Sequence, residues 1–166
     1  MFIIFGGLPG VGKSTIAQSL AARIKAVYLR VDSIEQAVRS AAVLAPGSDV
    51  GPAGYMALYR VAADNLRLGS VVVADTVNPI EITRDAFRAV AAEANTRFVE
   101  IEVVCSDPKA HRHRAETRPP TVEGLIPPTW AEIAALHYEP WEHPHLRIDT
   151  AVSTVEESVA RIMALL

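Results

Sequence analysis

The sequence predicts an α/β fold in which a five-stranded parallel sheet is covered by helices on both faces. Strand-like and helix-like hydrophobic patterns alternate from end to end. Val71–Ala74 is a continuous apolar run, as expected of a strand buried on two sides. Residues 7–14 read Gly7-Leu8-Pro9-Gly10-Val11-Gly12-Lys13-Ser14, a complete GxxxxGK[ST] loop with an apolar strand before it and a helical pattern after it. Alternating strands and helices around such a loop give parallel strands joined by right-handed crossovers.

The elements follow in order. Phe2–Phe5 reads as the first strand, and the helix after the loop has Ile16, Ala17, Leu20, Ala21 and Ile24 on one face. Ala26–Leu29 is a short second strand. Residues 44–54 hold Pro46, Gly47, Gly51, Pro52 and Gly54, so they read as a mobile connection between two helices. Val71–Ala74 is the third strand. Asn78-Pro79 then opens a helix, with Asn78 as N-cap, Pro79 at the first helical position and Glu81 completing a capping box. Its apolar face runs through Phe87, Val90, Ala91 and Ala94. Phe98–Val104 is the fourth strand and Arg147–Asp149 the fifth. Between them, residues 107–128 hold a basic helix, Pro108–Arg118, followed by Pro119-Pro120 and Pro127-Pro128. Ser153 with Glu156 caps a last helix whose Val155, Val159, Ile162, Met163 and Leu166 share a side. With no repeat and no boundary signal, residues 1–166 read as one domain with a lid at about 107–128.

A net charge of −3 and a pI near 5.9 argue against a polyanion-binding surface, and basic and aromatic residues do not interleave, so a nucleic-acid partner is not expected. The single Cys105 excludes an internal disulfide and reads as a buried, inert thiol. The absence of a signal-type start and of a membrane-length apolar run predicts a cytoplasmic protein with no membrane partner.

The loop carries the first chemistry. Glycines let backbone N–H groups curl around an anion, and the following helix N-terminus adds partial positive charge. Lys13 can reach the β- and γ-phosphates of a nucleoside triphosphate, Ser14 can ligate Mg²⁺, and Thr15 can donate to the α-phosphate. Asp75 ends a buried strand, the place for an acid that holds Mg²⁺ through water; the bland alternative is a turn-initiating aspartate. Asp32, after strand two, can accept the proton of an attacking hydroxyl, and with Glu35 it also reads as a helix cap. Arg114 and Arg118 lie four residues apart on one helix face, which His111 shares, and could close on a triphosphate. Arg112 projects roughly 160° from Arg114 and faces elsewhere. A solvated basic helix pairing with Glu93, Glu100 or Glu116 is the alternative. The histidines, 111, 113, 137, 143 and 145, lack acidic or cysteine partners at metal-ligand spacing and are expected at the surface. Trp130 and Trp141 read as packing anchors for the helix after the lid.

Taken together, these motifs resemble small P-loop kinases of the AAA_33 / zeta-toxin-like group over the whole chain. The resemblance rests on the phosphate loop, Arg30-Val31-Asp32-Ser33-Ile34, Val73-Ala74-Asp75-Thr76, Arg114-xxx-Arg118 and Ile148-Asp149-Thr150. The Asp32 segment is similar to that of chloramphenicol phosphotransferase and, more loosely, of polynucleotide 5′-hydroxyl kinases. The resemblance implies a P-loop NTPase of nucleoside-kinase-like fold with a helical lid, using ATP and Mg²⁺ to phosphorylate a small-molecule hydroxyl. It carries the base role onto Asp32, the lid arginines onto Arg114 and Arg118, and the adenine contact onto the turn after Asp149. A 5′-hydroxyl nucleic-acid kinase and a non-catalytic nucleotide-dependent binding module are the alternatives.

Overall fold

The computed structural model describes residues 1–45 and 48–166. Pro46 and Gly47, two of the chain-breakers in the expected 44–54 connection, lie outside the described residues. Five strands, β1 (Phe2–Gly6), β2 (Val27–Arg30), β3 (Val72–Asp75), β4 (Phe98–Val104) and β5 (Leu146–Asp149), form one parallel sheet in the order β2-β3-β1-β4-β5. The described helices are α1 (Lys13–Ile24), α2 (Val31–Ser40), α3 (Ala53–Arg67), α4 (Glu81–Glu93), α5 (Pro108–Thr117), α6 (Trp130–Ala135) and α7 (Val155–Met163). None is long and apolar enough to cross a membrane.

The two-residue period of the strands divides the core. Ile3, Phe5 and Val73 point to a cluster with Ile16 and Leu20 of α1 and Val159 and Ile162 of α7. Phe2, Ile4, Val72 and Ala74 point the other way, to Leu58 of α3 and Phe87 and Val90 of α4. Because β1 is central and neighbours β3 and β4, its carboxyl end is the switch point where a ligand crevice opens in such sheets.

Several sequence expectations shift. β2 and β3 each begin and end one residue later than expected, which brings Arg30 and Asp75 into the sheet as register partners. The helix expected at Asn78-Pro79 begins at Glu81 after Ile80. Asn78 is fully buried with φ 52°, accepts from the Thr83 hydroxyl at 2.7 Å and receives Arg84 Nε at its carbonyl, so it is a turn residue rather than a cap. The last capping box is Thr154 with Glu157, one residue beyond Ser153 and Glu156. α3 starts inside the expected connection, and Gly54 lies there because a Cβ would stand 2.4 Å from Glu35 Cγ. His143 does meet acids in space, at Glu81 and Asp85, but those carboxylates already hold Arg84 and Arg88.

Arg84 closes this end of the fold. It is fully buried, and its five N–H groups reach the carbonyls of Asn78, Pro79, Glu139 and Pro140 and the Glu81 carboxylate. Trp141 covers the guanidinium 4.6 Å from the ring centroid and also fills the space above Gly6, so this tryptophan anchors the β3–α4 turn instead of the helix after the lid. Arg84→Met should therefore strand four buried carbonyls and destabilise the protein by about 3–5 kcal/mol, read from urea unfolding. The exposed Arg112→Ala should leave the same midpoint almost unmoved.

Candidate active site

The phosphate loop is held open by its neighbours. Gly7 takes φ 140°, and a Cβ there would lie 2.2 Å from the Val103 carbonyl oxygen. At Gly10, φ 89°, a Cβ would meet that of Ala115 in α5 at 3.0 Å. Gly7 N–H donates to the Val77 carbonyl at 2.9 Å, pinning the loop to the chain after β3. α1 begins at Lys13 with no side-chain cap, which leaves first-turn amides to an anionic ligand.

α5 is bolted to this loop. His111 is buried with Nε2 2.9 Å from the Pro9 carbonyl and stands edge-on to Trp130, ring centroids 5.0 Å apart. The surface position expected for this histidine is thus corrected: it sits where α5 packs on the loop. Of the others, His113, His137 and His143 are exposed and His145 is half-buried. Arg114 donates to the Thr150 hydroxyl at 2.8 Å and to the Thr150 carbonyl at 3.1 Å, and the Thr150 hydroxyl lies 2.7 Å from the Val11 carbonyl. A relay therefore runs from the helix through the turn after Asp149 to the loop. Cys105 is half-buried, not buried, with its sulfur 3.8 Å from Arg114 Nη1. Arg112 points outward to Glu116 at 2.9 Å, as its helical phase demands.

The carboxylates lie on the opposite side. Asp75 is 1% exposed. Tyr28 donates to its Oδ2 at 2.5 Å, and Lys13 Nζ stands 3.4 Å from its Oδ1. Burial and the Asp75 charge push the Tyr28 phenol well above its ordinary range, so it stays a donor. Asp75 Oδ1 is buried without a hydrogen-bond partner. A hard oxygen without a hydrogen bond, 3.4 Å from the phosphate-loop Lys13, fits Mg²⁺, which takes few protein ligands and keeps its waters. Asp32 lies in the first turn of α2 and makes no cap bond, so the cap alternative falls away. Instead Arg30, 9% exposed and absent from the expected site, donates to Asp32 Oδ2 from Nε at 3.1 Å and Nη2 at 2.8 Å. Its sequence signal was slight: a lone arginine closing an apolar strand.

Two cavities meet here. One of about 350 Å³ is lined by Gly10, Gly12, Lys13, Ser14, Thr15, Arg114 and Arg118 among others. The second, about 830 Å³, has Asp32, Glu35, Asp49 and Tyr55 on one side and Leu125, Ile126, Ile133 and Leu136 on the other. Lys13, Ser14, Arg30, Arg118 and Leu125 line both. Burial raises the Glu35 carboxyl above its usual range, with Arg39 opposing and Asp32 and Asp49 adding to the shift. Leu8, Pro9 and Val11 shape the loop from behind, Pro9 touching the larger cavity and Leu8 and Val11 a third cleft beside β4.

The AAA_33 family model, described as an AAA domain, matches residues 2–125. The chain is 29% identical over 170 residues to a protein of Aeropyrum pernix named probable adenylyl-sulfate kinase, covering 96% of this chain and 88% of that one. It is 28% identical to an adenylyl-sulfate kinase of Staphylococcus epidermidis, covering 97% and 81%. Its fold matches the Mycobacterium tuberculosis APS kinase in complex with AMPPNP and APS, with a TM-score of 0.74, 20% identity and coverage of 99% and 95%.

The Thr150 relay is directly testable. Thr150→Val keeps the shape but removes one of the two acceptors of Arg114, leaving the Thr150 carbonyl, and removes the donor to Val11. It should weaken affinity for an ATP analogue by roughly fivefold to tenfold, near the upper end for one ordinary hydrogen bond, measured by titration calorimetry.

Proposed function

The chain belongs to the AAA_33 family, and we propose that it is an ATP- and Mg²⁺-dependent kinase that transfers the γ-phosphate to a hydroxyl of a small-molecule acceptor. One observation carries this reading: the phosphate cradle and Asp32 open into two different cavities that join along Lys13, Ser14, Arg30, Arg118 and Leu125. A switch that only binds nucleotide has no use for a second cavity that carries a carboxylate and joins the phosphate cradle. The smaller cavity takes the triphosphate: loop amides and Lys13 hold the phosphates, and Thr15 reaches the α-phosphate. Ser14 and Asp75 are the residues that would hold Mg²⁺, which when bound neutralises phosphate charge. The acceptor oxygen attacks the γ-phosphorus as the bond to the β,γ-bridging oxygen breaks, and ADP leaves. Asp32 Oδ1, which has no partner among the described residues, takes the hydroxyl proton, a contribution of roughly 10²–10⁴-fold. Arg114 and Arg118 face the developing charge.

α5 is anchored by His111, Arg114 and Ala115, so the moving lid is shorter than the expected 107–128 and comprises residues 118–128. The whole of 1–166 acts as a single unit.

A second reading is adenylyl sulfate as the acceptor, favoured by the names of the two relatives. The larger cavity carries Lys13, Arg30, Arg39 and Arg118 beside Asp32, Glu35, Asp49 and Glu132, so an anionic acceptor there would meet cations as well as acids. A nucleic-acid 5′-end needs a basic channel, and outside α5 the basic residues are scattered along the chain.

A transfer screen with γ-labelled ATP should include adenylyl sulfate, amino sugars, nucleosides, chloramphenicol and oligonucleotides. Labelled product is expected with a small hydroxyl compound, and label on none of them, or on the oligonucleotides alone, contradicts the reading. With the acceptor known, Asp32→Asn should keep ATP affinity within a few-fold and lose on the order of 10²-fold in kcat. Unchanged turnover per folded molecule would remove Asp32 from the chemistry.

Arg114→Ala and Arg118→Ala should each lower kcat by more than they raise the Kd for ATP, because their charge matters most in the transition state. Arg112→Ala should be close to wild type in both. Steady-state kinetics beside calorimetry separates the two quantities.

A further inference from the structure

Arg30 is the one cation shared by the two cavities that the sheet itself supplies; Lys13 comes from the loop and Arg118 from the end of α5. Its guanidinium is almost entirely buried, and its hydrogen bonds run in two directions. Nε and Nη2 both donate to Asp32 Oδ2, while Nη1 donates to the Thr121 hydroxyl at 2.6 Å. Thr121 belongs to the exposed segment after the Pro119-Pro120 pair. A buried side chain thus grips the lid with one nitrogen and the aspartate with two. Nε also stands 3.9 Å from Asp75 Oδ2, which limits how far the group can swing.

Resting on the kinase reading above, we propose that Arg30 is a positioning residue that couples lid closure to the orientation of Asp32. A planar guanidinium cannot move one nitrogen alone. When Thr121 takes Nη1, the plane is set so that both remaining donors meet the same oxygen of Asp32, and Oδ1 is left facing the acceptor cavity. When the lid lifts, Arg30 loses one of its partners and Asp32 loses a fixed orientation. The base is then aligned only when residues 118–128 cover the phosphates, which keeps water from being activated in an open site. Gly124 supports the same closure, lying so close to Gln36 on α2 that a Cβ would approach Nε2 to 2.7 Å.

Coupling is reciprocal: if the lid orients Asp32, then Asp32 stabilises the lid. This is measurable without an acceptor, by amide hydrogen exchange at residues 121–126 in the full chain saturated with AMPPNP and Mg²⁺. Thr121→Val should speed exchange there by roughly tenfold or more, the scale of one hydrogen bond to a charged group. Asp32→Asn, at a residue that makes no hydrogen bond to residues 118–128, should speed it at the same amides by a comparable factor. Thr121→Ser should restore the wild-type rate, and the double variant should be no faster than the faster single one. The proposal is overturned if Asp32→Asn leaves the lid amides unchanged, or if the two substitutions multiply. Failure of the wild-type chain to bind AMPPNP in calorimetry would refute the kinase reading instead, and the same four variants compared in the free chain would still decide whether Arg30 links the two groups.

Discussion

The site depends on the burial of the Asp75 carboxylate. An ionised acid with 1% exposure is costly unless cations and donors surround it, and here each of them comes from a different part of the chain. Lys13 brings the phosphate loop, Tyr28 brings the middle of β2, and Arg30 brings its end. The sheet register makes this possible, because Phe5, Asp75 and Arg30 are aligned across three adjacent parallel strands. A slip of one residue in β3 would turn Asp75 into the apolar layer under α3 and α4 and leave Lys13 without a counter-charge. The oxygen of Asp75 that still lacks a hydrogen bond is the one 3.4 Å from Lys13 Nζ.

The opposite wall is kept rigid by different means. Arg84 satisfies four carbonyls from two loops that have no secondary structure of their own, and Trp141 closes over it. The β3–α4 turn that Arg84 fixes also supplies the Val77 carbonyl for Gly7 N–H. Loop geometry at the phosphates therefore rests on a cation some distance from them, one that takes no part in the chemistry.

What the sequence made legible follows from how local each signal is. The glycine loop, the five strands, the α5 register and the acids Asp32 and Asp75 all depend on contiguous residues with a fixed period, and they stand where they were expected or within one residue. Arg30 and Arg84 gave no such signal, since the contacts that bury them, to Thr121, Glu139 and Pro140, come from distant parts of the chain. His111 was misplaced because a helix face says which residues travel together, not what that face will meet. Asn78 failed as a cap for a related reason: an Asn-Pro pair fits a helix start, but burial of its backbone against Tyr55 and Arg84 favours the left-handed turn.

The same distinction separates the two cavities. The triphosphate cavity is built largely from the loop and α5, whose patterns are strong. The acceptor cavity is built from α2, the chain before α3 and residues 124–136, where prolines and short elements break any period. Transfer and hydrolysis differ only in which hydroxyl reaches the γ-phosphorus, so the enzyme's selectivity rests on what fills the space beside Asp32. Leu125 lies at the junction of the cavities and offers water no hydrogen bond, while Asp32 and Arg30 offer an acceptor several. In the kinase proposed above, a lid that brings Leu125 over the phosphate cradle in the same motion that brings Thr121 to Arg30 would exclude water and orient Asp32 together.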